Sequence, residues 1–337
     1  MTTAELSSGT APRLSVLLRP RGAFWPAWRQ SRPLRRVAGG LLLVAVLGLV
    51  TVHLLMADAE YGLTHGVCTD PGAWIQPQCS DLNDRIFRLN TVFLNVVQPA
   101  MVALPVVVGM FVGAPLLAQE YERGTIRLIR SQSVSPVRWL AARLVVPAAV
   151  VALSAGVVSV LTAWIWRADI AGHRILAYSP YPGFTYHTLG LAPLAWSLFG
   201  LALGAAVGVL LRRTVAAILV SGVLVVLAEV LMRQVRQYFV PLVHSTDPNS
   251  RNYLGHFIQP QQSWVVNDGV VLADGTRLPS SACGADYQVC ENAPSVWGDY
   301  HPVSHFVPMQ LVEAGLLLVL SAVLVALVFR RVTRTAL

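Results

Sequence analysis

Lysine is absent from this sequence of 337 residues, and all of its 25 basic residues are arginines. A phosphate-binding P-loop needs a lysine, and so does an enzyme that forms a Schiff base with its substrate. The sequence therefore encodes neither kind of site. If ATP hydrolysis powers this protein, a separate chain must supply the ATPase.

Charge is also scarce, because only 12% of the residues are charged while 55% are hydrophobic. A soluble domain carries roughly 25% charged residues, since its surface must face water. The mean hydropathy of +0.57 agrees with a surface that faces lipid. These values exclude a soluble protein. The net charge of +8 comes from arginines beside apolar runs, so topology explains it and we expect no nucleic-acid partner.

Six apolar runs are each long enough to cross about 30 Å of hydrocarbon as a helix. They are Val37–Ala57, Val92–Leu117, Leu140–Trp166, Leu189–Leu211, Val215–Met232 and Pro308–Phe329. The fourth and fifth are separated only by Arg212-Arg213-Thr214, which predicts a tight helical hairpin. We therefore expect an all-α polytopic membrane protein with six transmembrane helices.

The arginines indicate the orientation of these spans. Most of them precede the first span, lie between the second and third, separate the fourth from the fifth, or follow the sixth. All four segments fall on one side of the membrane, which the positive-inside rule makes cytoplasmic. Acidic residues such as Asp58, Glu60 and Asp81 fall on the other side. We expect both termini in the cytoplasm, in a multi-pass protein of the cell membrane.

Residues 1–36 form a basic segment in which Phe24, Trp25 and Trp28 alternate with arginines. This composition predicts an interfacial segment whose arginines face anionic lipid headgroups, with a disordered tail as the alternative before Pro20. We do not expect a cleavable signal peptide here, because the apolar run begins late and is longer than a signal sequence requires. Residues 37–232 then hold the first five spans, and residues 308–337 hold the sixth and a basic tail.

The four cysteines all lie in segments predicted to be extracellular, where disulfides persist. Cys68 and Cys79 share the first external loop, and Cys283 and Cys290 share the last. Pairing within each loop is the simplest of three connectivities. A metal site with the histidines of the last loop is the alternative, although the cysteine spacing matches no zinc motif, so we expect no metal.

The last external loop, residues 233–307, is too long for a plain connection. Turn signals at Asp247-Pro248-Asn249, Asn267-Asp268-Gly269 and Asp274-Gly275 flank short β-prone runs. We predict a small extracellular cap, held by a disulfide and containing a hairpin. The role of this cap could be gating, partner binding or shielding of a pore mouth, and the sequence does not distinguish between them.

Residues 119–139 join the second and third spans on the cytoplasmic side. The second helix is predicted to continue to Glu122 and to end at Gly124, since glycine is the usual left-handed residue at a helix C-terminus. Ser135 then N-caps the third helix, with Pro136 at its first position. This pattern predicts a compact knob at the membrane surface, and an ordinary charged loop is the alternative.

This stretch resembles the cytoplasmic coupling region of type-2 ATP-binding-cassette (ABC) export permeases. Their pattern is acidic–x–acidic–x–Gly–Thr, followed by Ser/Pro–x–Arg ahead of the third helix. The matching residues are Glu120, Glu122, Gly124, Thr125, Ser135 and Arg138. Residues 109–118 and 301–313 also resemble that family.

The resemblance implies a permease subunit that is not itself an enzyme and has no catalytic residues. Such permeases form dimers, a homodimer in the simplest case, and bind two copies of a separate ABC ATP-binding subunit. ATP and Mg²⁺ would be bound by that partner, so we expect no cofactor in this chain. The residues that would contact the partner are Glu120, Glu122, Arg123, Gly124, Thr125, Arg127 and Arg130.

Small residues at four-residue spacing let membrane helices approach closely. They occur in the second span at Gly109 and Gly113, and in the fourth at Gly200, Gly204 and Gly208. Packing within the chain and packing across a dimer are both open.

Polar residues inside spans are costly and need a reason. Asn95 and Gln98 of the second span are candidate substrate-path residues, with hydrogen bonding between helices as the alternative. Glu229 stands four residues before Arg233, the favourable order for a helical ion pair, with a proton carrier as the alternative, and Glu313 is interpreted in the same way.

The function expected from all of this is ATP-driven export of a hydrophobic or amphipathic substrate, such as a lipid, drug, antibiotic or lipopeptide. The alternatives are a membrane-embedded sensor or assembly protein, and a membrane enzyme with an extracellular site. The sequence has no nucleophile–base motif that would favour the enzyme.

Overall fold

The computed structural model describes residues 28–65, 67–69, 76–124, 135–171, 180–181, 184–247, 257–258, 260–283 and 287–334. Within these residues, six helices are long and apolar enough to cross a membrane. They are α1 (Arg32–Thr64), α2 (Pro77–Glu122), α3 (Pro136–Ala171), α5 (Ala192–Leu211), α6 (Thr214–Val235) and α9 (Phe306–Arg334), while α4 (Thr185–Thr188) is short. This confirms the prediction of a mostly helical protein with six spans. Residues 1–27, most of the predicted interfacial segment, lie outside the described part.

Helix α2 begins 15 residues before the predicted start of the second span at Val92. Gln76 is extended and Pro77 takes the first helical position, which suits proline because that position needs no N–H donor. The disulfide between Cys68 and Cys79 fastens this extension to the segment after α1. The polar extension is helical because Ile86, one of its few apolar residues, is buried as in an amphipathic helix.

Two π-helical segments interrupt the α-helical pattern of α2, at Phe93–Val97 and Val108–Gly113. Each inserts one extra residue into the helical repeat and changes which side chains face the neighbouring helices. The second segment lies where α2 meets α5.

Helices α2 and α5 pack backbone against backbone through their glycines. A Cβ atom on Gly204 would stand 2.2 Å from the Gly109 carbonyl oxygen, and one on Gly200 would stand 2.3 Å from that of Pro105. Gly208 and Gly113 are equally confined, by the carbonyl oxygens of Ala114 and Leu201. The glycines on both helices therefore serve packing within the chain.

A four-stranded antiparallel sheet lies in the segment between α6 and α9. Its strands are β1 (Val243–Asp247), β2 (Trp264–Val271), β3 (Arg277–Pro279) and β4 (Ser295–His301), in the order β1-β4-β2-β3. The short helices α7 (Ser280–Cys283) and α8 (Tyr287–Glu291) are joined by a disulfide between Cys283 and Cys290. Both expected disulfides are thus present, and these two cysteines pack with Phe257, Val270 and Val296 in the core of the cap.

The turn expected at Asn267-Asp268-Gly269 is not formed, because these residues lie inside β2, which pairs with β4 on one side and with β3 on the other. A shift in the register of pairing between Val265 and Asn267 accommodates the irregular sequence. The turn at Asp274-Gly275 is present, with Gly275 at a φ of 85°. Pro248 and Asn249 of the remaining turn lie outside the described residues.

The helix order gives the bundle two ends, which we call the Glu122 end and the sheet end. The Glu122 end holds the start of α1, the end of α2 and the turn between α5 and α6. The sheet end holds the disulfide of Cys68 and Cys79 and the four-stranded sheet.

Candidate functional site

Helix α2 ends at Glu122, and Gly124 has a φ of 69°, the left-handed conformation predicted for it. Arg123, between them, is still near the helical region and donates its N–H to the Gln119 carbonyl oxygen at 3.0 Å. A Cβ atom on Gly124 would have no atom within 4 Å, so space for a side chain is available. Glycine is favoured at this position because of its left-handed backbone conformation. Thr125, Arg127 and Arg130 of the predicted coupling region lie outside the described residues.

The Glu122 carboxylate caps the N-terminus of α6. Its Oε1 accepts from the Thr214 backbone N–H at 2.9 Å, and its Oε2 accepts from the Thr214 hydroxyl at 2.6 Å. Arg213, the N-cap residue of α6, makes no side-chain cap, so a residue 92 positions earlier supplies it. A carboxylate at this place also interacts favourably with the positive end of the helix dipole.

Glu120, two residues earlier, contacts a different helix. Arg143 of α3 donates from Nη2 to Glu120 Oε1 at 2.6 Å, and both side chains are about 85% buried, with exposures of 16% and 15%. Arg143 also donates from Nη1 to Gln30 Oε1, which connects α3 to the turn before α1. The end of α2 is therefore connected to α3 through Glu120 and to α6 through Glu122.

The hairpin between α5 and α6 is as tight as predicted. Arg212 adopts a left-handed conformation with a φ of 56° and donates its N–H to the Gly208 carbonyl oxygen at 3.1 Å. Its guanidinium lies 5.2 Å from the centroid of the Tyr121 ring, in the range of a cation–π contact. Tyr121 stands between Glu120 and Glu122, so three consecutive residues of α2 each contact another part of the bundle.

The two candidate path residues lie in different environments. Asn95 is exposed within the first π-helical segment of α2. Gln98 is 4% exposed, and its Nε2 donates to the Thr185 hydroxyl of α4 at 3.0 Å. The structure therefore favours hydrogen bonding between helices, the alternative interpretation, for Gln98.

Polar side chains from the spans hold residues 184–191 at the sheet end of the bundle. Thr162 of α3 donates to the Thr188 carbonyl oxygen at 2.6 Å, and Gln310 of α9 donates from Nε2 to that of Leu189 at 2.8 Å. Gln310 Oε1 accepts from the Leu191 N–H at 2.9 Å. Backbone that is not helical is tolerated at membrane depth only where protein satisfies its polar groups, which these side chains do.

A buried ion pair joins Arg236, just after α6, to Glu313 of α9. Arg236 Nε donates to Glu313 Oε2 at 2.8 Å, and Trp196 Nε1 of α5 donates to Glu313 Oε1 at 2.7 Å. Arg236 Nη2 donates to Nε2 of His187 at 3.2 Å, and its guanidinium lies 3.6 Å from the centre of the Tyr186 ring. This cluster connects α5, α6, α9 and the 184–191 segment.

The predicted ion pair between Glu229 and Arg233 is not formed within 4 Å. No ion pair within 4 Å involves Glu229 among the described residues, and its Oε1 is buried without a hydrogen-bond partner. Glu229 faces the interior of the bundle with Val225 and Met232, while the Arg233 guanidinium lies 6.0 Å from the Phe184 ring. Glu313 is paired as expected, but with Arg236.

Two contacts connect the sheet to the helices. The Tyr181 hydroxyl donates to the Pro302 carbonyl oxygen at 2.6 Å, and His301 Nε2 lies 3.2 Å from the Gln237 carbonyl oxygen, which requires a proton on Nε2. Burial lowers the pKa of the His301 imidazole, so its neutral form is favoured.

No group of three or more His, Cys, Asp or Glu side chains within the described segments is arranged to hold a metal ion. All four cysteines are oxidised to disulfides, and His244 Nδ1 lies 2.6 Å from Asp299 Oδ1. The geometry does not support the metal site considered from the sequence.

A family model described as ABC-2 membrane transporter related matches residues 38–236. That range is more than half of the chain and includes the end of α2, with Glu120 and Glu122, and the hairpin between α5 and α6. The chain belongs to this family. It is accordingly a permease component of the ABC-2 type, whose members in general work with an ABC ATPase. A search of curated proteins found no match, and neither did a search of solved structures.

Sequence reasoning missed Arg236, His187 and Trp196 of this ABC-2 permease. One signal was available: Arg236 and Glu313 are opposite charges at the ends of two spans that are joined by one long segment. Isolated charges at such depth need a partner. The contribution of residues 184–191 had no comparable signal, because many of its contacts are made by backbone groups, which every residue has.

Proposed function

We propose that this chain is the transmembrane permease subunit of an ABC exporter, which moves a hydrophobic or amphipathic substrate outward. A separate subunit, present in two copies, binds Mg²⁺ and hydrolyses the ATP. The family match over residues 38–236, in a sequence without lysine, carries this proposal. The family supplies the permease role, and without a lysine the sequence cannot form a P-loop.

The contacts of the Glu122 end suggest how the partner would drive transport. A force on the segment after Glu122 would reach α3 through the Glu120–Arg143 ion pair, and α6 through the Glu122–Thr214 hydrogen bonds. Helices α2 and α5 would move as one body, because their glycines place the two backbones in contact. Rearrangement of such packed units between two states is how alternating access operates.

The proposed orientation places the Glu122 end in the cytoplasm. Among the described residues, arginines at this end include Arg32, Arg123, Arg213 and Arg330, whereas the sheet end has fewer. Both termini would be cytoplasmic, the four-stranded sheet would be an extracellular cap, and the protein would reside in the cell membrane. Two permease chains, each with its ATPase, would form the working transporter.

An apolar or amphipathic substrate fits the chemistry of the helices. Two of the buried charged side chains near the spans, Arg236 and Glu313, are paired with each other and with neighbours, and Glu229 is a third that has no ion pair within 4 Å among the described residues. Asn95, which is exposed on α2, is the polar residue proposed for the substrate path. A transport assay in which only a polar sugar was exported would contradict this substrate class.

The experiment is co-expression of the chain with an ABC ATP-binding subunit encoded beside it, followed by co-purification and ATPase measurement in lipid vesicles. We expect a stable complex whose ATPase rate depends on the permease. Glu122→Ala should reduce this dependence, because α6 loses its cap and its connection to α2. Thr214→Ser is the matched control, since serine keeps both hydrogen bonds. Failure to form any complex, with the permease folded, would contradict the proposal.

A further inference from the structure

Three arginines at the start of α1 face one open pocket of about 290 Å³. Arg32, Arg35 and Arg36 have the spacing that places side chains on one face of a helix. Among the described residues, no carboxylate lies within ion-pair distance of any of the three, and none lines the pocket. Three neighbouring positive charges are thus left without a protein counter-charge in the described part of the chain.

Arg35 is held in place by Trp28. Its Nη2 donates to the Trp28 carbonyl oxygen at 2.7 Å, and its guanidinium stacks 3.5 Å from the centre of the Trp28 ring. Its Nε is buried and makes no hydrogen bond to the described residues. The guanidinium is therefore held in position beside Trp28.

The residues just before α1 are anchored to the rest of the bundle. Gln30, between Trp28 and Arg32, accepts a hydrogen bond from Arg143 of α3, and Arg143 pairs with Glu120. The turn that carries Trp28 is thereby fixed to α2 and α3. A ligand in this pocket would therefore contact side chains on a segment that is fixed to the helical bundle.

The chemistry of the pocket selects a phosphate. Guanidinium groups bind phosphate oxygens through paired hydrogen bonds, and several of them together favour an oxyanion that carries a full negative charge. The pocket lies where a transmembrane helix begins and beside a tryptophan, which is typical of the boundary between lipid and water. We propose that Arg32, Arg35 and Arg36 bind the phosphate of an anionic phospholipid headgroup. The site does not depend on what the protein transports.

The test measures binding of phosphatidylglycerol and of phosphatidylcholine to the purified full-length chain, by native mass spectrometry with each lipid titrated in turn. Arg32→Gln with Arg36→Gln should weaken phosphatidylglycerol binding about thirtyfold, since each arginine near a membrane surface contributes roughly fivefold. Arg32→Lys with Arg36→Lys should retain most of the binding, because the charges remain. Unchanged melting temperatures would show that the variants are folded.

Arg330→Gln with Arg334→Gln is the matched control. These arginines are also four residues apart, exposed, and at the same end of the bundle, on α9. We expect this pair to change phosphatidylglycerol binding by less than about twofold, because neither arginine lines the pocket and salt screens exposed charges. An equal loss of phosphatidylglycerol binding in both double variants would contradict the proposed site and would indicate general attraction between charges.

Two further outcomes would overturn the proposal. Equal binding of the two lipids by the unaltered chain would show no selection for an anionic headgroup. Saturable binding of inorganic phosphate that depends on Arg32 and Arg36, without any preference for phosphatidylglycerol, would assign the pocket to a free anion. Preference for phosphatidylglycerol that inorganic phosphate does not abolish would support the lipid.

Discussion

Arg236 and Glu313 form an ion pair with only 4% and 1% of their side chains exposed, and a distance of 2.8 Å between Nε and Oε2. Moving two charges out of water is costly, and the pair is tolerable only if the remaining polar atoms are satisfied. Trp196 and His187 supply those partners. The pair fixes the ends of α6 and α9 relative to each other at the sheet end.

Removing one member of this pair should destabilise the protein strongly. Glu313→Ala leaves the Arg236 charge buried without compensation, for which we expect a loss of about 3–5 kcal/mol in the free energy of unfolding. Chemical denaturation in detergent measures it. Asp84→Ala, which removes an exposed carboxylate at the same end, should cost less than about 0.5 kcal/mol. Arg236→Met combined with Glu313→Leu should recover much of the loss, and a double variant no better than Glu313→Ala would contradict the account.

Gly124→Pro should uncouple the ATPase from the permease while leaving the bundle folded. Proline fixes φ near −65°, whereas Gly124 has a φ of 69°, and Arg123 before it would be forced out of its helical conformation. Gly124→Asn is the control, because asparagine tolerates the left-handed region. The measurement is permease-dependent ATPase activity of the reconstituted complex. Full activity in the proline variant would show that this conformation is unimportant.

Gly204→Ala should separate α2 from α5. The added methyl group would stand 2.2 Å from the Gly109 carbonyl oxygen, and backbone cannot yield as a side chain can, so we expect a cost of about 1–3 kcal/mol. Gly156→Ala places the same methyl group in a transmembrane helix where no atom lies within 4 Å. That control should be neutral or gain up to about 1 kcal/mol through helix propensity. Equal melting temperatures of the two variants would refute the close contact.

The orientation can be tested with single introduced cysteines, because all four native cysteines are in disulfides. In intact cells, a membrane-impermeant maleimide should label Gln261→Cys, at the sheet end, without permeabilisation. Arg334→Cys, at the end of α9, should be labelled only after the membrane is opened. Both positions are exposed, so access to the reagent differs only by side. The reverse pattern would invert the topology.

The sequence could predict features that depend on local pattern alone. Apolar runs longer than the bilayer core identify the six spans whatever their packing, and the cysteines of each pair are close enough in sequence to meet. The end of α2 could also be predicted from the sequence, since Gly124 follows one helical run and precedes a second helical run that begins with a proline.

Features that depend on tertiary contacts could not be predicted from the sequence in the same way. The extension of α2 before Val92 is polar on average, so its length and composition indicated a loop. Glu229 and Arg233 suggested a local ion pair, but the helix turns Glu229 inward, and the partner of Glu313 is 77 residues away in sequence. Pairing with β4, joined at Gly269 by pairing with β3, likewise holds Asn267-Asp268-Gly269 in a strand despite its turn composition.

The 46 residues of α2 make a rod roughly 70 Å long, more than twice the thickness of the hydrocarbon layer. One end carries Glu122, and the other is fastened by the disulfide at Cys79. A displacement of Glu122 can have two effects on the helix. In the first, α2 moves as a rigid body, so that a movement at one face of the membrane also moves the other face. In the second, α2 bends at the π-helical segments Phe93–Val97 and Val108–Gly113, which then act as hinges.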